Sequence, residues 1–278
     1  MPQLSIIIPL FNSCEFITRA LQSCINQTLR DIEILVVDDK SEDESVKIAL
    51  EFAKKDERVK IFQNDENLGT FATRNLGVLK SRAEFIMFLD SDDFLALNAC
   101  ELALTKIKQG FDLLCFDAFV HRVKTKQFYR FKQDEAFNQK EFFEFLGKQR
   151  HFCWSVWAKL FRKDLILKSF ERINLYERLS YGEDVLFCYM NFLECDKMGV
   201  FKECIYHYEF NEKGRYENKN KEILWQNYKD KKRSNELIKK LSLKSKGDEF
   251  CKRLFEVLEK EEKDLKARIA KIDTLDLA

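Results

Sequence analysis

Short apolar segments alternate with amphipathic stretches through the first third of the chain. Leu4–Ile8, Ile32–Val37, Val59–Phe62 and Phe85–Leu89 are strand-length and mostly apolar, as strands buried on both faces require. Between them, apolar residues recur at helical spacing: Ile17, Leu21, Cys24 and Ile25, then Val46, Ala49, Leu50 and Ala53, with Ser41 or Asp43 expected as N-cap of the second run. Thr70–Lys80 reads as a third helix. This alternation predicts an α/β protein with a mainly parallel sheet flanked by helices, and in such sheets ligands bind beyond the carboxyl ends of the strands.

The pattern then loosens. Cys100–Lys108 reads as a helix, Asp112–Phe116 as a strand and residues 119–131 as a hairpin; the region to about Phe210 is rich in aromatics without clean alternation. Val185–Leu193 reads as a helix and YHYEF (206–210) as a strand. From Glu222, Ile223, Leu224, Tyr228, Leu237, Ile238 and Leu241, then Leu254, Leu258, Leu265 and Ile272, fall at helical spacing and predict two helices with a weak seam. Three parts follow: a first half of one domain over 1–95, its second half over 96–212, and a C-terminal helical extension over 213–278.

Composition narrows the class. The chain has 278 residues, and 48 Lys plus Arg against 47 Asp plus Glu give no global field calling for nucleic acid. The charge is unevenly spread, with ten basic and three acidic residues between Lys219 and Lys246. That basic stretch reads either as a surface for anionic membrane lipid or as a charged face and seam between copies of the chain in a homo-oligomer. Nine cysteines without a C-x-x-C pair fit neither a disulfide framework nor a zinc ribbon. With no apolar segment of membrane-spanning length, the expectation is a cytoplasmic protein, peripheral at most on the inner face of the membrane.

Chemistry concentrates at strand ends. The strand at 85–89 runs into Asp90, Ser91, Asp92 and Asp93, and the strand at 32–37 into Asp38 and Asp39. Carboxylates so close together repel, and a hard divalent cation, Mn²⁺ or Mg²⁺, would neutralise them while drawing the rest of its shell from water and phosphate oxygens. A plain capping loop remains the alternative for D-x-D alone.

Together, SIIIPLFN (5–12), INQTLRDIEILVVDDKSED (25–43), NDENLGTFATRNLG (64–77) and FLDSDD (88–93) resemble the inverting glycosyltransferases of family 2, which have the GT-A nucleotide-diphosphosugar transferase fold. The likeness continues more loosely through SVWAKLFRKDL, YGEDVLF and YHYEF, which look like the acceptor half of bacterial lipooligosaccharide and capsule enzymes such as β-1,3-galactosyltransferases. The resemblance implies a UDP-sugar donor, a glycan or glycolipid acceptor and a metal on Asp92. It implies a donor site of Pro9, Phe11, Asp39, Arg74, Asp90, Ser91 and Asp92, with Phe11 against uracil, Asp39 reading its N3–H and Arg74 on the diphosphate. It matches Asp184 to the general base, against the alternative that Glu183 and Asp184 only complement a helix N-terminus. Glu183, Trp154 and Trp157 are candidate acceptor contacts, the tryptophans being either a sugar platform or core. Lys213 and Arg215 would close over the diphosphate, and His207 reads as structural. Two rivals stand: a Mg²⁺-dependent phospho-receiver module, which would leave Arg74 and the aromatic half unexplained, and a catalytically inactive glycan-binding relative.

Overall fold

The computed structural model describes residues 1–121, 126–128, 131–149, 154–210, 220–242 and 249–275. Strands β1 (Leu4–Leu10), β2 (Ile32–Asp38), β3 (Val59–Gln63) and β4 (Phe85–Phe88) form a parallel block in the order β3-β2-β1-β4. Leu4 pairs with Ile32 and Phe85, so the strand ends stay level. Side chains alternate across this block. Leu4, Ile6 and Ile8 with Ile34, Val36 and Met87 pack against helices α1 (Ile17–Ile25) and α2 (Ser45–Lys55), while Ile7, Leu35, Val37, Ile86 and Phe88 pack against α3 (Thr70–Lys80). The cap of α2 is Glu44, rather than Ser41 or Asp43. Asp43 instead accepts from the backbone N–H of Cys14 at 3.0 Å, tying the turn after β1 to the turn after β2.

Beyond β4 the sheet becomes mixed. A two-residue strand β5 (Phe94–Leu95) and helix α4 (Ala99–Ile107) follow, then β6 (Leu113–His121), which forms the expected hairpin with β7 (Lys126–Phe128). After β8 (Glu135–Asn138) and α5 (Gln139–Lys148), β9 (Lys159–Arg162) inserts antiparallel between β4 and β6. Helices α6 (Lys163–Phe170) and α7 (Glu183–Phe192) precede β10 (Lys197–Glu209), parallel to β6 and antiparallel to β5 and β8. Among the described residues the result is a ten-stranded mixed sheet. Alternation was not visible along β10 because register shifts interrupt it between Phe201 and Cys204 and between Cys204 and Tyr206.

Helices α8 (Lys221–Leu241) and α9 (Glu249–Leu275) pack against each other, α8 also lies along α7, and their seam is closely built rather than weak. Leu237, Ile238, Leu254 and Leu258 join the core cluster that contains α7. No helix among the described residues is long and apolar enough to cross a membrane.

Candidate active site

Two clefts open at the carboxyl ends of β1, β2 and β4 and meet over one arginine. The first, of about 770 Å³, is lined by Pro9, Phe11, Asp39, Arg74, Asp90, Ser91 and Asp92, so the seven residues expected of a donor site share one wall. Each arrives there for a local reason. Pro9 is the penultimate residue of β1, and Phe11 just beyond the strand remains 48% exposed. Asp39 follows β2 and accepts from the N–H groups of Leu68 and Gly69 at 2.7 and 2.8 Å and from the Asn64 amide at 2.8 Å, fixing the loop into α3. That loop needs glycine: Gly69 sits at φ 83°, and a Cβ there would lie 2.7 Å from the Leu179 carbonyl oxygen.

The DSDD loop is held from β10. Tyr206 donates its hydroxyl to Asp93 Oδ2 at 2.6 Å and accepts from the Asp90 N–H at 3.2 Å; Glu209 N–H donates to Asp93 Oδ1 at 2.7 Å. Arg19, ion-paired to Glu209, donates to the Asp92 carbonyl. Burial, then the neighbouring Asp90 and Asp92 charges, push the Asp93 carboxyl well above its ordinary range, favouring the neutral acid. Asp90 is answered by Arg74, 2.7 Å away. The protein thus relieves part of the repulsion with its own groups.

Arg74 is buried. Its guanidinium reaches Asp90 at 2.7 Å, Asp184 at 2.6 Å and Glu183 at 3.3 Å. Burial pushes the Glu183 carboxyl up to about 8, with the Asp184 charge adding to the rise and Arg74 opposing it. Asp184 is also raised, chiefly by burial, with Arg74 again opposing. Both shifts favour the protonated carboxyl at this turn, while the Arg74 guanidinium hydrogen-bonds Asp90, Asp184 and Glu183.

The second cleft, of about 570 Å³, is lined by Asp184, Glu183, Trp157, Tyr208 and Lys231, and shares Arg74, Asp90, Ser180 and Glu183 with the first. Trp157 stacks on Tyr206 and Tyr208, with centroids 4.8 and 5.6 Å away. Trp154 parts from it: it packs on Phe192 and Phe250 with the core cluster and lines neither cleft. His207 lies between Phe94 and Phe119 with His121 at 2.9 Å, and burial, with His121 and Arg19, depresses it to about 4. Lys213 and Arg215 lie outside the described residues.

Sequence reasoning missed the helical hairpin's share of both walls. Glu222, Ile223 and Gln226 of α8 line the first cleft; Lys231 with Glu261, Asp264 and Arg268 of α9 line the second. Among the described residues, no group of three or more His, Cys, Asp and Glu side chains is arranged to hold a metal. Asp92 on the cleft wall, with Asp90 beside it, still offers hard oxygen donors of the kind Mg²⁺ or Mn²⁺ takes in ones and twos.

A mixed sheet whose parallel block carries acidic loops at its carboxyl edge, with paired clefts above them, is the GT-A nucleotide-diphosphosugar transferase fold. The crystal structure of S. aureus TarS 1-349 shares the fold, with a TM-score of 0.66 at 22% identity over 92% of this chain and 72% of that one. TarS 1-349 in complex with UDP-GlcNAc gives 0.65 at 22% identity, covering 86% and 70%. The chain belongs to glycosyl transferase family 2, whose model matches residues 5–167. The cholesterol galactosyltransferase of Borreliella burgdorferi is 30% identical over 216 residues, 73% of this chain and 59% of that protein. The GalNAc(5)-diNAcBac-PP-undecaprenol beta-1,3-glucosyltransferase of Campylobacter jejuni is 36% identical over 112 residues, 40% of this chain and 36% of that one. The chain spans 59 to 62% of the length of the first curated relatives it matches. Membership of this family sets aside the phospho-receiver reading.

Proposed function

We propose that the protein is an inverting glycosyltransferase that moves a hexose from a UDP-sugar to a hydroxyl of a glycan or glycolipid acceptor. The observation that carries this is the meeting of the two clefts over Arg74, with Asp90 on the donor side and Asp184 on the acceptor side. Phe11 offers an exposed ring face to uracil, and Asp39, anchored by three donors, retains lone pairs for the uracil N3–H. TarS bound to UDP-GlcNAc and relatives named for galactosyl and glucosyl transfer support this donor class.

Asp184 takes the proton of the acceptor hydroxyl as its oxygen attacks the anomeric carbon; the bond to the diphosphate breaks, and UDP departs with the electron pair. One in-line displacement inverts the anomeric centre, converting an α-linked donor to a β-linkage. A raised carboxyl suits this role, because a base whose affinity for protons approaches that of the medium transfers them most efficiently. The rise in the Glu183 carboxyl lessens the negative charge it presents to Arg74. Mn²⁺ or Mg²⁺, held by Asp92 with Asp90, would offset charge on the departing diphosphate.

The test is release of UDP from a panel of UDP-hexoses and UDP-N-acetylhexosamines, with ADP-, GDP- and CDP-sugars as controls. Turnover of at least one UDP-sugar and none of the controls is expected. Equal turnover across bases would overturn the assignment.

A further inference from the structure

The GED turn and the helical hairpin are built as one unit. Asp230 of α8 accepts from the Ser180 N–H at 2.9 Å, and Ser234 donates to the Gly182 carbonyl at 2.7 Å. Gly182 sits at φ 77°, and a Cβ there would come within 2.9 Å of the Lys231 side chain. The hairpin therefore faces the catalytic turn at close range, and what it presents there bears on the acceptor.

Opposite the hairpin lies an aromatic floor. Tyr206 and Tyr208, two apart on β10, project to the same side of the sheet, and Trp157 lies across both at interplanar angles of 14° and 25°. Ala158, at φ 52°, holds a backbone conformation rare for a residue with a Cβ and sets the turn that brings Trp157 there. One indole face covers the tyrosines, and the half-buried ring also forms part of the cleft wall. Flat apolar area suits the C–H face of a pyranose, as small-ligand sites combine aromatic surface with a few placed polar groups.

The polar groups come from the hairpin. Lys231 is neutralised by Glu261 at 2.5 Å, whereas Asp264 and the half-buried Arg268 line the same cleft and make no ion pair among the described residues. Carboxylates outnumber cations on this wall, with Asp90, Glu183, Asp184, Glu261 and Asp264 against Arg74, Lys231 and Arg268. Planar carboxylates and a guanidinium can each engage a pair of adjacent hydroxyls, while the negative excess repels an acidic sugar.

Building on the function proposed above, we infer that this cleft is an acceptor subsite for a neutral pyranose, with Trp157 as its floor and Arg268 and Asp264 of the hairpin reading its hydroxyls. The test is tryptophan emission of the full chain with saturating UDP, titrated with methyl β-glucoside, methyl β-galactoside, methyl N-acetyl-β-glucosaminide and methyl β-glucuronide. At least one neutral glycoside should give a saturable change. Trp157→Phe should abolish it, Arg268→Ala should weaken binding tenfold or more, and the glucuronide should bind at least tenfold more weakly. Trp225→Phe, on the exposed face of α8, should leave the change intact, and UDP affinity unchanged in Arg268→Ala shows that this variant stays folded. Absence of any saturable change, a change that survives Trp157→Phe, an unaltered affinity in Arg268→Ala or equal glucuronide binding would each overturn the inference. UDP affinity, measured in parallel, separates the two claims: UDP bound without a glycoside sinks the subsite alone, whereas failure to bind UDP sinks the donor assignment beneath it.

Discussion

Replacing Arg74 by Met keeps much of its volume but removes the charge shared by Asp90 and Asp184. Removing one partner of a buried ion pair typically costs about 3–5 kcal/mol, because the remaining charge is left without water or counter-ion. Here the Arg74 side chain is 4% exposed, but those of Asp90 and Asp184 are 26 and 30% exposed, which places the expected loss at the lower end, about 3 kcal/mol near pH 8. Each stranded carboxylate can escape by taking up a proton. For an Asp of ordinary pKa near 3.9 that costs about 1.4 kcal/mol per pH unit, hence roughly 1.5 kcal/mol at pH 5 against more than 5 at pH 8. The variant's folded state thus binds protons that its unfolded chain has released, so its deficit widens as pH rises and narrows as pH falls. Urea unfolding of both proteins from pH 5 to pH 8 measures this. A deficit below about 1 kcal/mol at pH 8, or one independent of pH, would show that Arg74 is not the counter-charge of the two aspartates.

Glu183→Gln should flatten a pH dependence in the wild type. With its folded carboxyl raised to about 8, Glu183 makes stability fall as pH rises between roughly 4.5 and 8, and denaturation across that window should show the slope in the wild type and lose it in the variant. Asp39→Asn should lose the preference for UDP over CDP in calorimetry, while an unchanged preference would remove Asp39 from base recognition. Asp92→Asn should weaken Mn²⁺-dependent UDP binding with little change in melting temperature; equal UDP affinity of the wild type in excess chelator would remove the metal from the donor site.

Much of the donor half was legible because its chemistry is local. Asp39, Asp90 and Asp92 follow strands whose apolar runs are unmistakable, and parallel pairing brings strand ends to one edge. Thr70–Lys80 is the helix the sequence predicts. Arg74 was named, but its burial among three carboxylates was not foreseeable, since Glu183 and Asp184 lie more than a hundred residues away. The acceptor half was less legible. Bulges hide the alternation of β10, nothing near Trp154 and Trp157 separates core from cleft, and the hairpin's lining residues sit among surface-like charged neighbours. The basic stretch from 219 to 246 shows the same limit. Within α8, Lys231 is buried in an ion pair, while Lys229 and Lys232 are exposed.

The central claim is that Asp184 deprotonates an acceptor beside a separately formed donor site, and paired measurements on Asp184→Asn test it most directly. UDP affinity by calorimetry should match the wild type within a factor of a few. Transfer from the preferred UDP-sugar should fall by roughly 10²- to 10⁴-fold, the usual worth of a positioned general base. Near-normal transfer by Asp184→Asn, with UDP still bound, would contradict the account.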